Sequence, residues 1–378
     1  MIAAYISSHG FGHVTRSSEV LRAVRELRPD LALTIVSAAP EDLFRSAIGD
    51  PVDVRGEECD VGLVQRGALT IDAEASAERL EAFLATWDER VEREAEWLRS
   101  SGADLVYGDI PPLAFEAAAR AGLPSVALGN FSWDWIYAHF ARHAPRLAAG
   151  ARWAADAYRK ASLLMRLPFA GDMGVFPCAE DVPLVARRPT LETTEARRRI
   201  TRDPRAIVVL SFGGHGLFRF DPQVLAQHSD YQFVVPNTDP RLPENVLALT
   251  EDERRARGLS YADVVAAAEV VVTKPGYGIV TDAISGHSRL VYTDRGDFPE
   301  YPLLVAEMVR YLPCVYVSNE DLSAGRIGEA IAAVRQLRFP DPPRLDGAEV
   351  VARRVLATLD AARAATARQT PGRTSSTS

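Results

Sequence analysis

The chain has 378 residues, 47% of them hydrophobic, more than one ordinary core takes up, so it divides most simply into two domains of roughly 150 to 200 residues each. Its formal net charge of -8 excludes a general nucleic-acid-binding surface and leaves room only for a local phosphate pocket. No interior apolar run reaches about 18 residues without a charge or a breaker, and the start lacks the basic, apolar, cleavable pattern of a signal peptide; the expectation is a soluble, cytoplasmic protein without an integral membrane segment.

The apolar run Ile2–Ile6 predicts a short buried strand. It stops at Ser7-Ser8-His9-Gly10-Phe11-Gly12-His13-Val14-Thr15-Arg16, which puts glycines, two imidazoles and a guanidinium where a first strand hands over to a first helix, the junction at which α/β proteins place ligands. Helical spacing is readable over residues 18–27, with Val20, Leu21, Val24 and Leu27 on one face. Residues 31–36 read as a second strand, 40–48 as a short helix, 64–71 as either a strand or a loop, and 72–100 as one helix or two joined by a bend. A strand over Leu105–Asp109, a helix from Pro112 to Ala121 capped by Gly122, and a strand over residues 125–128 then form a βαβ unit with an acid at the carboxyl end of its first strand.

A second unit follows Pro183 to Pro189. It begins with a strong strand over Ala206–Ser211 that runs into Phe212-Gly213-Gly214-His215-Gly216. Shorter strands are expected at 232–235 and 247–249, a helix at 261–268, a strand at Val270–Thr273, a helix at 278–285 and a strand at Arg289–Tyr292. Residues 350–362 read as a closing helix, and the Pro/Thr/Ser-rich end as disordered. The expected division is residues 1–185 and 205–348 as two mostly parallel α/β domains, 186–204 as linker, 349–365 as the closing helix and 366–378 as the tail.

Four stretches carry chemistry. In the first, Gly10 and Gly12 permit close approach of a substrate, and the near-neutral imidazole of His13 suits a general base; turn or capping roles suit His9 and His13 as well. The stretch has only part of a dinucleotide-binding signature, so a nicotinamide site fits poorly. In the second, Asp109 either orients His13 and stabilises its imidazolium or caps the helix that follows, and Asn130, Ser132, Trp133 and Asp134 form either an acceptor wall or a packed loop. In the third, Gly213, Gly214 and His215 either bring backbone N–H groups to a diphosphate or make a tight βα turn; the spacing is not that of a Walker A loop. The fourth is Thr273-Lys274-Pro275-Gly276-Tyr277-Gly278, where Lys274, one of only two lysines against 41 arginines, supplies a point charge and the glycines clear the backbone from a ligand. Asp282 reaches a sugar hydroxyl or simply favours the first half of its helix, and Glu300 accepts from sugar hydroxyls or sits in a solvated charged loop. Cys59, Cys178 and Cys314 have neither metal-ligand nor disulfide spacing, and the histidines and carboxylates form no readable metal-ligand set.

At these residues the chain resembles the GT-B glycosyltransferase superfamily, especially its MurG-like and UDP-glycosyltransferase branches. The opening SSHGFGHVTR is also similar to the glycosyltransferase-like region of plant-type L-arabinokinases. The resemblance spans Met1 to about Leu359 and implies an α/β GT-B fold, two Rossmann-like domains facing a central cleft. It implies acceptor chemistry on the N-terminal side, with Gly10, Gly12, His13 and Asp109, and nucleotide-sugar recognition on the C-terminal side, with Gly213, Gly214, Gly276, Gly278, Asp282 and Glu300. The loop Gly296-Asp297-Phe298-Pro299-Glu300-Tyr301 lacks the Asp/Gln pair common in that family.

The expected reaction is inverting single displacement from a nucleotide sugar, UDP-linked by the resemblance, onto a hydroxyl of a small molecule or glycan, with no cofactor beyond the donor. Two alternatives stay open: a nucleotide-sugar-binding or regulatory protein without catalysis, and a nucleotide-sugar epimerase. An active arabinokinase domain is not expected, because no kinase glycine-rich phosphate motif or kinase-sized segment is readable in these 378 residues.

Overall fold

In the computed structural model, which describes residues 1–66, 70–212, 221–236 and 241–369, the chain packs as two units, each organised round one parallel sheet. The first unit comprises Met1–Leu63, Ala73–Pro183 and the segment from Asp346 onward; the second comprises Val64–Asp72 and Leu184–Leu345. Among the described residues no helix is long and apolar enough to cross a membrane.

The strands in chain order are β1 (Ile2–Ile6), β2 (Leu33–Val36), β3 (Asp53–Arg55), the antiparallel pair β4 (Val64–Gln65) and β5 (Ile71–Asp72), β6 (Leu105–Asp109), β7 (Ser125–Gly129), β8 (Leu163–Arg166) and β9 (Ala179–Asp181). They continue with β10 (Ala206–Ser211), β11 (Tyr231–Val235), β12 (Val246–Ala248), β13 (Val270–Thr273), β14 (Arg289–Tyr292) and β15 (Cys314–Tyr316).

The first sheet has the order β3-β2-β1-β6-β7-β8-β9. β1 is completely buried, as its unbroken apolar run demands of a strand covered on both faces. From β1 the chain winds outward through β2 and β3, then returns to the other side of β1 for β6 and proceeds the opposite way. The β1/β6 boundary is therefore the point where strand order reverses, and crevices at the carboxyl ends of such strands take ligands. Register pairs Ile6 with Asp109 there.

The helix leaving β1 is Phe11–Leu27, so it begins well before the periodicity at residue 18 announces it. Gly10 adopts φ 102, a region an L side chain resists, and this single bend turns the strand into the helix; Gly12 already lies in the first turn. The stretch 72–100 resolves into two helices, Ala73–Leu84 and Trp87–Ser100. The last helix, Gly347–Gln369, extends on both sides of residues 350–362 and returns to the first unit, burying Val351, Ala352, Val355 and Leu359. Arg354 pairs with Glu180 at 2.6 Å and Arg363 with Asp104 at 2.7 Å. Residues 370–378 lie outside the described residues.

The second sheet repeats the logic with the order β12-β11-β10-β13-β14-β15. Val208 and Leu210 of β10 and Val270 and Val272 of β13, two residues apart on each strand, pack with Leu225, Phe233, Ile331 and Val334 into one core. Its strand order reverses between β10 and β13, where Ser211 pairs with Thr273.

Candidate active site

At the β1/β6 reversal, the first helix brings His13, Arg16 and Ser17 onto one face, since residues three and four apart on a helix are neighbours. All three converge on Asp109, the last residue of β6. His13 Nδ1 lies 2.8 Å from Asp109 Oδ1, which also accepts Arg16 Nη2 at 2.6 Å. The other oxygen, Oδ2, accepts Arg16 Nε at 2.8 Å and Ser17 Oγ at 2.6 Å. With its proton committed to Asp109, Ser17 Oγ receives the Tyr107 hydroxyl at 3.0 Å. Arg16 Nη1 donates to Asn130 Oδ1 at 2.7 Å, just beyond the end of β7.

Asp109 is fully buried and His13 is 5% exposed. Burial by itself opposes ionisation of Asp109, but the adjoining Arg16 charge, then His13, outweigh it and hold the carboxyl well below the usual carboxylate range. An ionised carboxylate only accepts hydrogen bonds, so the short contact to His13 places a ring proton on Nδ1; in the neutral ring the lone pair is then on Nε2. The ring is held edge-on to Phe131, centroids 5.5 Å apart. A histidine in this tautomer, fixed by a buried acid, is equipped to take a proton from a hydroxyl group.

A second buried acid stands nearby. Trp133 Nε1 donates to Asp60 Oδ2 at 2.8 Å, and burial pushes the Asp60 carboxyl above its ordinary range. Trp133 stacks on Tyr137 and meets His9 edge-on at 5.1 Å. His9 in turn crowds Gly62, where a Cβ would lie 2.2 Å from its Nδ1. Of the acceptor-wall residues, Asn130, Ser132 and Trp133 are buried, whereas Phe11, in the first turn of the helix, is 45% exposed.

In the second unit, β13 ends at Thr273, whose hydroxyl donates to the carbonyl of Ser211, and the helix Tyr277–Ser285 begins directly after Gly276. Gly276 offers no side-chain cap, so the first-turn N–H groups keep their electropositive character. Lys274 is half-buried; burial, and then repulsion from Arg295, lower its pKa to about 8. Arg295 lies against Gly276, its Nη1 3.7 Å from where a Cβ would stand, and is stacked over Phe298 at 4.5 Å.

The remaining sequence candidates have defined partners. Glu300 is buried and accepts Arg295 Nη1 at 2.6 Å, so it steadies that cation. Asp282 is buried and both its oxygens receive Arg187, with Nε to Oδ1 at 3.0 Å, while Arg187 lies over the Tyr261 ring. The Tyr277 hydroxyl accepts the backbone N–H of Val185 at 3.1 Å. Asp282 and Tyr277 thus tie the 185–187 segment to this helix. Gly213, Gly214 and His215 lie outside the described residues.

The structure brings together His13 and Asp109 in one unit, and Lys274, Gly276 and Glu300 in the other. The sequence marked Arg16 only as a guanidinium at the junction and gave neither it nor Ser17 nor Arg295 a role of its own. For the first two the signal was their spacing from His13, which becomes meaningful once the helix is known to start at Phe11.

No protein-family model matches the chain. The chain is 34% identical over 333 residues to an L-arabinokinase of Arabidopsis thaliana, covering 86% of this chain and 31% of that protein, so it spans about a third of the relative's length. Among solved structures, it superposes on a glycosyltransferase of kitacinnamycin with a TM-score of 0.60 at 18% identity, covering 98% of this chain and 99% of the other. The calicheamicin glycosyltransferase CalG4 gives a TM-score of 0.58 at 17% identity, with 97% of each chain covered. A UDP-glucosyltransferase from Polygonum tinctorium gives 0.59 at 13% identity over 97% of this chain and 93% of that one. The chain has the GT-B fold.

Proposed function

We propose that the chain is a glycosyltransferase that moves a sugar from a nucleotide-sugar donor, UDP-linked, to a hydroxyl acceptor with inversion at the anomeric carbon. The observation that carries this reading is the buried His13–Asp109 pair at the strand-order reversal of the first unit, in which Nδ1 donates to the acid. The GT-B fold and the cationic turn of the second unit support it.

In this reading His13 Nε2 takes the acceptor's hydroxyl proton as the acceptor oxygen bonds to the anomeric carbon. The bond from that carbon to the donor phosphate breaks, its electron pair leaving with the nucleoside diphosphate. Asp109 stabilises the imidazolium, and Gly10 and Gly12 keep the acceptor's approach to His13 open. Lys274, Arg295 and the N–H groups opening the Tyr277–Ser285 helix receive the charge that develops on the diphosphate. Glu300 keeps Arg295 in place for that task.

Binding without transfer would use the same fold and phosphate-facing turn without chemistry at His13. The Arabidopsis relative's name adds phosphoryl transfer as a reading to be tested. A mass-resolved assay with a panel of nucleotide sugars, candidate acceptors and no-acceptor controls separates them. Free nucleoside diphosphate together with a glycosylated acceptor supports transfer. A changed sugar still joined to its nucleotide means epimerisation, selective binding without product means a sensor, and a phosphorylated sugar formed from ATP and L-arabinose means a kinase.

A further inference from the structure

An acid beside a histidine does two opposing things to a general base. It fixes the ring, and it also favours the protonated ring, which cannot accept a proton. The carboxylate of Asp109 is 2.8 Å from His13 Nδ1, with no water between them. Arg16 changes that balance. Its guanidinium spans both Asp109 oxygens, at 2.6 and 2.8 Å, and its Nη2 lies 3.1 Å from His13 Nδ1. Because Nδ1 donates to Asp109, the last distance is a contact between a cation and an N–H, and it penalises any further positive charge on the ring.

We propose that Arg16 is the positioning residue of this site: it compensates Asp109 so that the acid orients His13 without turning the resting imidazole into an imidazolium. This rests on the proposed base role of His13. Its own anchoring fits the task. The Nη1 bond to Asn130 Oδ1 at 2.7 Å fixes the fork from the β7 side, and an arginine 5% exposed with Nε, Nη1 and Nη2 all engaged is not presented to a substrate phosphate. Among the described residues, the charged and titratable groups facing His13 are Arg16 on its own helix, Asp109 from β6 and Asp60 from the segment after β3, with Tyr107 behind Ser17. Asp60 acts on the ring in the same sense as Asp109, and Arg16 is the cation that opposes both.

The test is the titration of the His13 ring, followed by nitrogen-15 NMR of the imidazole in the full chain without substrate, with the signal assigned by its loss in His13→Gln. A unit charge about 4 Å away, at an effective dielectric near 20, corresponds to about three pH units. In Arg16→Met the midpoint is therefore expected to rise by about three units relative to the unsubstituted chain. The acid limb of any transfer activity moves up by the same amount, with donor KM unchanged. Arg16→Lys retains the charge but cannot span both oxygens, and a rise of less than about one unit is expected. An unmoved or lowered midpoint in folded Arg16→Met overturns the proposal. If that variant does not fold, Arg16→Gln, which keeps donors for Asp109 without the charge, decides: a rise of more than about one unit supports the proposal, and no rise overturns it. Because the titration is read without substrate, failure of glycosyl transfer leaves it standing. Conversely, transfer by a chain whose ring ignores Arg16 sinks the positioning role alone.

Discussion

Replacing Asp109 with asparagine tests the site where its parts are most tightly coupled. The carboxylate is fully buried and accepts four hydrogen bonds: His13 Nδ1 and Arg16 Nη2 at one oxygen, Arg16 Nε and Ser17 Oγ at the other. An amide keeps one accepting oxygen and presents an N–H₂ group to the other pair, so a donor faces a donor whichever way it turns. Turned toward Ser17, it leaves Arg16 Nε without an acceptor; turned toward His13, it forces the ring into the other tautomer and removes the basic Nε2. In both cases a guanidinium with a side-chain exposure of 4% loses its counter-ion. Removing one partner of a buried pair costs about 3–5 kcal/mol, which urea unfolding should register as a lower midpoint with an unchanged slope. The loss of imidazolium stabilisation and of the correct tautomer lowers kcat by about 10³ or more, measured as initial nucleoside diphosphate release at saturating donor and referred to folded protein. Acid behaviour gives a further check. Because the folded-state carboxyl lies well below its unfolded range, its contribution is fully present above about pH 4 and is lost as pH falls below that, so the asparagine variant lacks this part of the acid-unfolding limb. A folded Asp109→Asn that transfers sugar within about tenfold of the unsubstituted chain would rule out a working His13–Asp109 dyad, since loss of the acid from such a dyad costs several orders of magnitude in rate.

Other expectations follow from the same geometry. With Lys274 at about 8, its charge is present at neutral pH and lost as pH rises through that value, so UDP affinity measured by calorimetry falls between about pH 7 and about pH 9 more steeply than in Lys274→Met. Gly62→Ala places a Cβ 2.2 Å from His9 Nδ1 at a backbone φ of +57; it should destabilise the first unit by about 1–3 kcal/mol in urea unfolding, and a loss below about 0.5 kcal/mol contradicts the crowding. Asp282→Asn weakens the Arg187 pair and is expected to cost about 1–3 kcal/mol of stability, while UDP affinity per folded molecule stays the same; a large affinity loss without destabilisation contradicts the bracing role.

The central strands were legible because parallel sheets covered on both faces need continuous apolar runs, and β1, β6, β10, β13 and β14 have them within short bounds. The strands that escaped notice explain themselves in the same terms. β3, β9 and β15 are sheet edges three residues long with exposed or half-exposed positions, and the Leu-Leu-Met-Arg run of β8 carries no strand-specific period. At the candidate site, His13 and Asp109 were readable as residue types at strand exits. Their partners were not, because Gly10 and Gly12 read as breakers and concealed that His13, Arg16 and Ser17 share a helix face. Asp282 and Glu300 read equally as sugar-hydroxyl contacts or as local charges near glycine turns, and no pattern announced the partners Arg187 and Arg295, several to many residues away in sequence.

One imidazole carries the proposed chemistry, and His13→Ala interrogates it most directly. With a donor and acceptor pair found in the product panel, transfer is expected to fall by about 10³ or more while UDP binding measured by calorimetry is unchanged, since the diphosphate is assigned to the other unit. Transfer at an unchanged rate by a well-folded His13→Ala protein would contradict it.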